Sequence, residues 1–280
     1  MRMIINQQPR ENKTQLAHQL GIARSSLYYH PKREQYDAEM KQQILIVQGI
    51  HPSYGHKRIA LAFGLNNKRI RRIMNKYGLK PYRRRVKQLR KKDDEGKSPT
   101  RWNNEIIGWC PIKPNIVWVS DFTYIKFQGT FIYLSTIMDL YTREIIGWHI
   151  STHHDTDLVL IALIHAITRT GTSPIYLHSD QGAEYDARLY EQMAKTHGIR
   201  TSMSRKSSPW ENAFQESFYS QFKIDIGVIS RFETIEELLE AIYQTIYYYN
   251  TDRIHTSLKM APLAFKQGYE HRLQILRLSV

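Results

Sequence analysis

The sequence predicts an α/β fold, a mixed five-stranded sheet with flanking helices, preceded by a small all-α region. Three observations predict it. Positive charge is concentrated in the first hundred residues, where the texture is helical. From about Asn115 the texture changes to short, alternating segments rich in β-branched and aromatic residues. Beyond that point three strand-like segments, a helix, a strand, a helix, a strand and further helices follow one another, an order suited to a mixed sheet.

The chain has 280 residues and a net charge of +14. Residues 1–100 hold 23 Lys and Arg against 7 Asp and Glu; residues 101–280 hold 17 against 19. The two halves therefore do different jobs. A basic half attracts a polyanion, and nucleic acid is the expected partner. Cys110 is the only cysteine, which excludes an intrachain disulfide and argues against a thiolate zinc site. The start, MRMIINQQPR, has too short an apolar stretch for a signal peptide. The longest apolar run, at 158–167, is too short to span a bilayer. A cytoplasmic protein with no membrane partner is expected.

Two helix-turn-helix units are predicted, over 1–35 and 36–81. In the first, Ala17 is followed by Gly21 and Leu27; in the second, Ala60 is followed by Gly64 and Ile70, at the same spacing. The small residue lets two helices cross, the glycine makes the turn, and the apolar residue anchors the second helix. Arg24 and Ser25, and then Asn66, Asn67, Lys68 and Arg69, open the second helices and are candidates to face the major groove. HPSYGHKR (51–58) reads as a loop entering the second unit. Residues 82–112, basic and then acidic with Gly and Pro, read as a linker.

The catalytic half is expected over 113–270, with a tail at 271–280. Strands are predicted over 116–127, 131–140 and 144–151, joined by short polar breaks as an antiparallel meander. A helix with Asp155 as N-cap and Gly171 as stop comes next. Strands over 175–179 and 199–204 flank a helix over 187–197, and helices over 210–224 and 235–249 follow, the last behind a Thr234…Glu237 capping box.

Asp121 falls in the middle of the first strand, where a carboxylate is costly unless it is paired or binds metal. Asp180, in HSDQG, falls at the end of the fourth. Adjacent strands would bring both to one sheet edge. On the helix over 210–224, Trp210, Phe214, Phe218 and Phe222 make a buried stripe, and Glu216 points away from it between Asn212 and Lys223. Three carboxylates without thiolates suit Mg²⁺ or Mn²⁺. Two such ions about 3.5–4 Å apart can activate a hydroxyl and stabilise the leaving oxygen of a phosphodiester.

These segments resemble a known family. HPSYGHKRI (51–59), VWVSDFTYI (117–125), YLSTIMDLYTREIIGW (133–148), HSDQGAEY (178–185), WENAFQESFYSQFK (210–223) and YYNTDRIHTSLKMAPLAF (248–265) are similar to the DDE transposases of the retroviral-integrase-like superfamily. More narrowly, they resemble the downstream-frame products of bacterial insertion sequences that encode their transposase in two overlapping frames. Thirty-five residues separate Asp180 from Glu216, as in that group. The resemblance implies an RNase H-like catalytic core. It implies that Asp121, Asp180 and Glu216 form the metal-binding triad, with Asp121 shared between two ions. It implies that Lys223 contacts the transposon end. The implied reaction nicks an element end to free a 3′-OH, which then attacks another phosphodiester. The implied partners are double-stranded transposon-end and target DNA, an upstream-frame protein or a fusion with it, and further copies of the chain. Two positions depart from the family pattern: Ser207-Ser208 stand where relatives often carry Gly-Asn, and Glu211-Asn212 where they carry Asp-Asn.

Other readings compete. A catalytically inactive DNA-binding regulator of transposition would need a broken triad. A glycosidase would have no use for the basic half. A host nuclease of similar fold would lack inverted repeats around its coding region. Asp139 and Asp155 read as turn and cap residues. His149, His153 and His154 lack companion cysteines and helical spacing, so they are not read as a metal site. His178 and Ser179 are expected to support Asp180. Arg253 and His255 could face DNA or stitch the last helix to the domain.

Overall fold

The computed structural model describes residues 13–19, 21, 23–25, 32–83, 103–205 and 212–278. The chain divides into two compact units, Met1–Ile46 and Val47–Val280. In the first, α1 (Lys13–Gln19) buries Ala17, and Gly21 has a φ of 62°. Leu27, the predicted anchor of the second helix, lies outside the described residues. Helix α2 (Lys32–Ile50) runs across both the division and the predicted 35/36 boundary.

The second unit opens with HPSYG and a pair of short helices, α3 (His56–Ala62) and α4 (Asn67–Lys76). Gly64 turns between them at φ 63°, a left-handed conformation that glycine adopts without strain. Ile59, Ala60, Ile70, Ile73 and Met74 are buried. Asn66 is the N-cap of α4 and accepts a hydrogen bond from the Lys68 backbone N–H at 2.8 Å, so its side chain is committed to the helix end. The predicted linker lies outside the described residues over 84–102.

Strands β1 (Val117–Phe127), β2 (Thr130–Asp139) and β3 (Ile145–Ser151) form the antiparallel meander. Helix α5 (Thr156–Thr170) is capped by Asp155, which accepts from the Leu158 N–H, and stops at Gly171 (φ 65°). Strand β4 (Tyr176–Ser179), helix α6 (Arg188–Thr196) and strand β5 (Arg200–Met203) complete a five-stranded sheet in the order β3-β2-β1-β4-β5, with β4 parallel to both neighbours. Helices α7 (Ala213–Asp225), α8 (Ile235–Thr251) and α9 (Pro262–Leu278) follow. Helix α9 runs through the predicted boundary at 270/271. Thr234 caps α8 by accepting from the Glu237 N–H.

One face of the sheet packs against α5 and α6, with Trp118, Ile137, Leu163, Leu177 and Tyr190 buried there. The other packs against α7 and α8, with Val119, Leu134, Phe218, Phe222 and Ile246 buried. Asp139 is a turn residue: its carboxylate accepts from the backbone N–H groups of Asn115, Tyr141 and Thr142. Asn250 closes the end of α8 onto β3, giving to the Ile145 carbonyl and accepting from the Ile145 N–H, both at 2.9 Å. Arg253 is 2% exposed. It reaches Asp225 and Gln221 on α7 at 2.5 Å each and Ser53 at 3.2 Å. The Tyr54 hydroxyl accepts from the Ile254 N–H, Arg58 donates to the Ile254 carbonyl, and His51 bonds the Tyr248 hydroxyl. Arg253 is therefore a stitch, and HPSYG belongs to the catalytic unit rather than forming a free lead-in loop. His255 joins this buried cluster: burial and the guanidiniums of Arg143, Arg58 and Arg253 push its pKa down to about 4.

Two stability outcomes follow from this packing. A Cβ at Gly147 would stand 2.5 Å from the Ala162 carbonyl and 2.6 Å from the Ala166 Cβ. Gly147→Ala is expected to cost about 1–3 kcal/mol, read as a lower urea midpoint at unchanged slope. Arg253→Ala strands the buried Asp225 carboxylate and is expected to cost about 3–5 kcal/mol, while Arg253→Met with Asp225→Leu recovers most of that loss in the same titration.

Candidate active site

Asp121 sits on β1 just beyond the last residue paired with β4, since that pairing covers only Val117–Val119. Its neighbours on the α7 side, Val119 and Thr123, are buried. One carboxylate oxygen accepts from the Phe122 N–H at 2.8 Å. Burial first, and then the charges of Asp180 and Glu216, push the Asp121 pKa up to about 7; the Phe122 bond and Lys223 oppose the rise. Asp121 therefore lies within reach of the charges of both Asp180 and Glu216.

Asp180 follows the last residue of β4. Its Oδ1 accepts from the Gly182 N–H at 3.0 Å, which fixes the turn after the strand. A Cβ at Gly182 would overlap the Glu184 carboxylate and stand 3.2 Å from Asp180 Oδ1, so both side-chain ends would have to shift to admit one. Burial and the Glu184 charge raise the Asp180 pKa, against that hydrogen bond and against His154. Glu184 is buried and bonds His154 Nε2 at 2.9 Å. Ser179 supports Asp180 as expected, donating to its carbonyl at 3.1 Å. His178 bonds the Ser202 hydroxyl on β5 at 2.9 Å.

Glu216 lies in the first turn of α7 and is exposed. Burial of its carboxyl still raises its pKa. The buried stripe of α7 differs from the expected one. Gln215, Phe218, Tyr219 and Phe222 are buried, whereas Phe214 is 40% exposed beneath the Arg143 guanidinium, 4.0 Å from its ring centroid. Trp210, with Ser207-Ser208 and Glu211, lies outside the described residues. The reason for the shift is polar. Asn212 donates to the Ser120 carbonyl at 3.3 Å, Gln215 to the Val119 carbonyl at 2.7 Å, and the Tyr219 hydroxyl to the Asp121 carbonyl at 2.7 Å. Three successive β1 carbonyls are thus met by one face of α7, that of Ser120 on the side where β4 has ended and those of Val119 and Asp121 on the side facing β2. Asn212, Gln215 and Tyr219 fix the helix that carries Glu216 to the strand that carries Asp121, and sequence reasoning missed two of them. The available signal was a helix-spaced polar series in a stretch otherwise read by its aromatics.

Lys223, in the last turn of α7, places its ammonium 5.4 Å from the Tyr124 ring centroid. Lys68 is exposed at the start of α4, with Arg69 half-buried beside it; Arg24 and Ser25 are exposed in the first unit. Among the described residues, no three His, Cys, Asp or Glu side chains are drawn together as a ready-made metal cluster. The donor chemistry nonetheless fits a hard divalent cation. It offers three carboxylates and no thiolate, with mutual repulsion that a cation would offset. Among the described residues, no helix is long and apolar enough to cross a membrane.

Residues 111–209 match the family model of the integrase core domain, and residues 197–262 match a second integrase core domain model. The chain is 32% identical over 267 residues to the putative transposase InsK for insertion sequence element IS150 of Escherichia coli (strain K12), covering 90% of this chain and 93% of that protein. It is 33% identical over 245 residues to the transposase for insertion sequence element IS904 of Lactococcus lactis subsp. lactis, covering 83% and 95%. Among solved structures, the HTLV-2 integrase catalytic core domain in complex with magnesium is similar over 55% of this chain and 98% of that chain, at 15% identity and a TM-score of 0.45. The integrase core domain matches and the insertion-sequence transposases make the chain a member of the DDE transposases of insertion sequences, enzymes of DNA transposition with an integrase core domain.

Proposed function

We propose that Asp121, Asp180 and Glu216 are the catalytic carboxylates of this transposase and together hold two divalent cations, Mg²⁺ or Mn²⁺. The observation that carries this reading is the charge on Asp121: its pKa rises to about 7 through burial and through the two other carboxylates. Such an arrangement is unfavourable alone and becomes favourable once positive charge is added. Bound cations supply activation of a hydroxyl nucleophile and stabilisation of the departing oxygen.

The chain's own residues do the rest. Asp121 feels the charge of both others, so it is the carboxylate to be shared. Gly182 holds Asp180 at the strand end, and the Asn212–Gln215–Tyr219 face holds α7 so that Glu216 opens toward Asp121. Lys223, one turn and more beyond Glu216, is placed to meet a backbone phosphate of the transposon end. Lys68 and Arg69 at the start of α4, and Arg24 and Ser25 in the first unit, are the proposed groove contacts of two helix-turn-helix units. The active assembly is a multimer on paired DNA ends in the cytoplasm, joined by the upstream-frame protein.

Three outcomes test this reading. Asp121→Asn, Asp180→Asn and Glu216→Gln each reduce Mg²⁺-dependent strand transfer on the element's own ends to background while duplex binding persists in a mobility-shift assay; full activity in any of the three removes that residue from the triad. Gln215→Leu removes the buried amide donor that the Val119 and Thr136 carbonyls share and leaves them with their ladder bonds alone. It is expected to cost about 1–3 kcal/mol of stability and to lower the strand-transfer rate at saturating DNA.

The third outcome concerns pH. Asp121 holds its proton up to about 7 when folded, against about 3.9 in an unfolded chain. Over that window the folded form binds the extra proton, so this residue's contribution to stability falls as pH rises and is fully lost above about 7. The thermal midpoint of metal-free protein is expected to fall between about pH 5 and about pH 8. Mg²⁺, which binds the folded form, raises it more at the upper end. Asp121→Asn flattens both responses in differential scanning fluorimetry.

A further inference from the structure

Strand β1 keeps its antiparallel pairing with β2 to Phe127↔Thr130, long after β4 has ended beside Val119. The β1–β2 hairpin therefore projects beyond the carboxylates. On the face opposite Asp121 it carries Phe122 and Tyr124 from β1 and Phe131 and Tyr133 from β2, with Tyr124 directly across from Tyr133. Helix α5 begins only at Thr156 and leaves this end uncovered; His154, just before it, fills in. The rings make two touching groups, joined by the Tyr124↔Tyr133 strand pairing. His154 lies 4.7 Å from Phe122 and 5.2 Å from Tyr133, and Tyr124 meets Phe131 edge to face at 5.4 Å. Tyr124 is 58% exposed and Phe131 45%, with Phe122 and Tyr133 half-buried beside them. Rings gathered at one uncovered end of a sheet mark a binding surface.

Both ends of the row are tied to the site. His154 is bonded to Glu184, whose charge acts on Asp180. At the other end the Lys223 ammonium lies over Tyr124, and its charge also acts on Asp121. Lys126, exposed and directly across from Phe131, adds a second cation. Aromatic faces bordered by cations and adjoining a phosphodiester-cleaving centre match one kind of ligand: a nucleic-acid strand whose bases are unpaired. A paired base hides its faces in the stack, whereas an unpaired one offers them to a ring. A protein partner would need only the apolar area and leaves the two cations without purpose.

We propose that Phe122, Tyr124, Phe131, Tyr133 and His154 form a stacking surface for unpaired nucleobases of a DNA strand end lying beside the carboxylates. This rests on the active-site reading above, because it is cleavage at an element end that frees such a strand. The surface selects a frayed or overhanging end over a fully paired one.

The test uses the full chain without divalent metal, so that no cleavage intervenes. Two element-end duplexes are compared, one blunt and one with a short single-stranded overhang carrying 2-aminopurine. Wild-type protein is expected to bind the overhang about tenfold more tightly than the blunt end and to quench the 2-aminopurine emission on binding. Tyr124→Ala with Phe131→Ala brings that preference to near unity and abolishes the quenching, and Tyr124→Phe retains both. Asp180→Ala keeps the preference, so failure of the active-site reading registers in strand transfer and failure of the stacking surface registers in the overhang ratio. Equal binding of the two ends by wild-type protein overturns the proposal. So does an alanine variant with unchanged circular dichroism that keeps the preference, or one that changes only the sedimenting mass, which would make the row a contact between copies.

Discussion

A carboxylate held in mid-strand beside two others is the constraint around which this protein is arranged. Water is the cheapest partner for Asp121, and the fold removes most of it: burial is the largest cause of its raised pKa. The nearby charges of Asp180 and Glu216 add to the cost instead of relieving it. Only the Phe122 N–H and the more distant Lys223 oppose them. Such a cluster stores repulsion, and the neighbouring structure has to hold it against the tendency to spread. Tight packing and satisfied backbone groups supply that hold.

The hold comes from α7. Past Val119, β1 has no β4 beside it, and the Ser120 carbonyl points to that vacated side, where Asn212 meets it. Gln215 and Tyr219 add donors to the Val119 and Asp121 carbonyls, which point toward β2, so one helix face is pinned along three successive residues of β1. The far end of α7 is fixed in turn. Gln221 and Asp225 grip the buried Arg253, and Arg253 reaches Ser53 of the HPSYG segment. That segment leads directly into α3 and α4. The short helix pair bearing Lys68 and the helix bearing Glu216 are thereby connected through a single buried guanidinium, and its loss would be felt at both ends.

Much of this was legible in the sequence because the signals are local. Asp155, Gly171 and Thr234 mark helix ends by capping chemistry that needs only a few neighbouring residues, and each does so in the structure. The antiparallel meander of the first three strands followed from alternation and from the short breaks, whereas the pairing of β4 beside β1 was left open. The family resemblance, with thirty-five residues between Asp180 and Glu216, implied the candidate triad. What the sequence left open depends on partners distant in the chain. The role of Arg253 is set by Asp225 on another helix and Ser53 two hundred residues away. The orientation of α7 is set by β1 carbonyls, which carry no side-chain signature, so a stripe drawn through Phe214 outweighed Gln215. His154 was read for metal-ligand spacing, and its place beside Glu184 required the fold to bring two loops together.

The same strand that creates the electrostatic cost also shapes the surroundings of the site. By extending β1 beyond β4, the fold leaves Asp121 without a strand neighbour on that side and, in the same stroke, projects a hairpin past it. Alternation along that strand then sends Asp121 and Thr123 toward α7 and Phe122 and Tyr124 to the opposite face. A position that brings charge to one face must bring its neighbours to the other. The aromatic row is therefore tied in register to the carboxylate: sliding β1 by one residue would exchange the two sets and destroy both. One pairing register, Asp121↔Thr136 and Tyr124↔Tyr133, fixes the place of the chemistry and of the rings beside it.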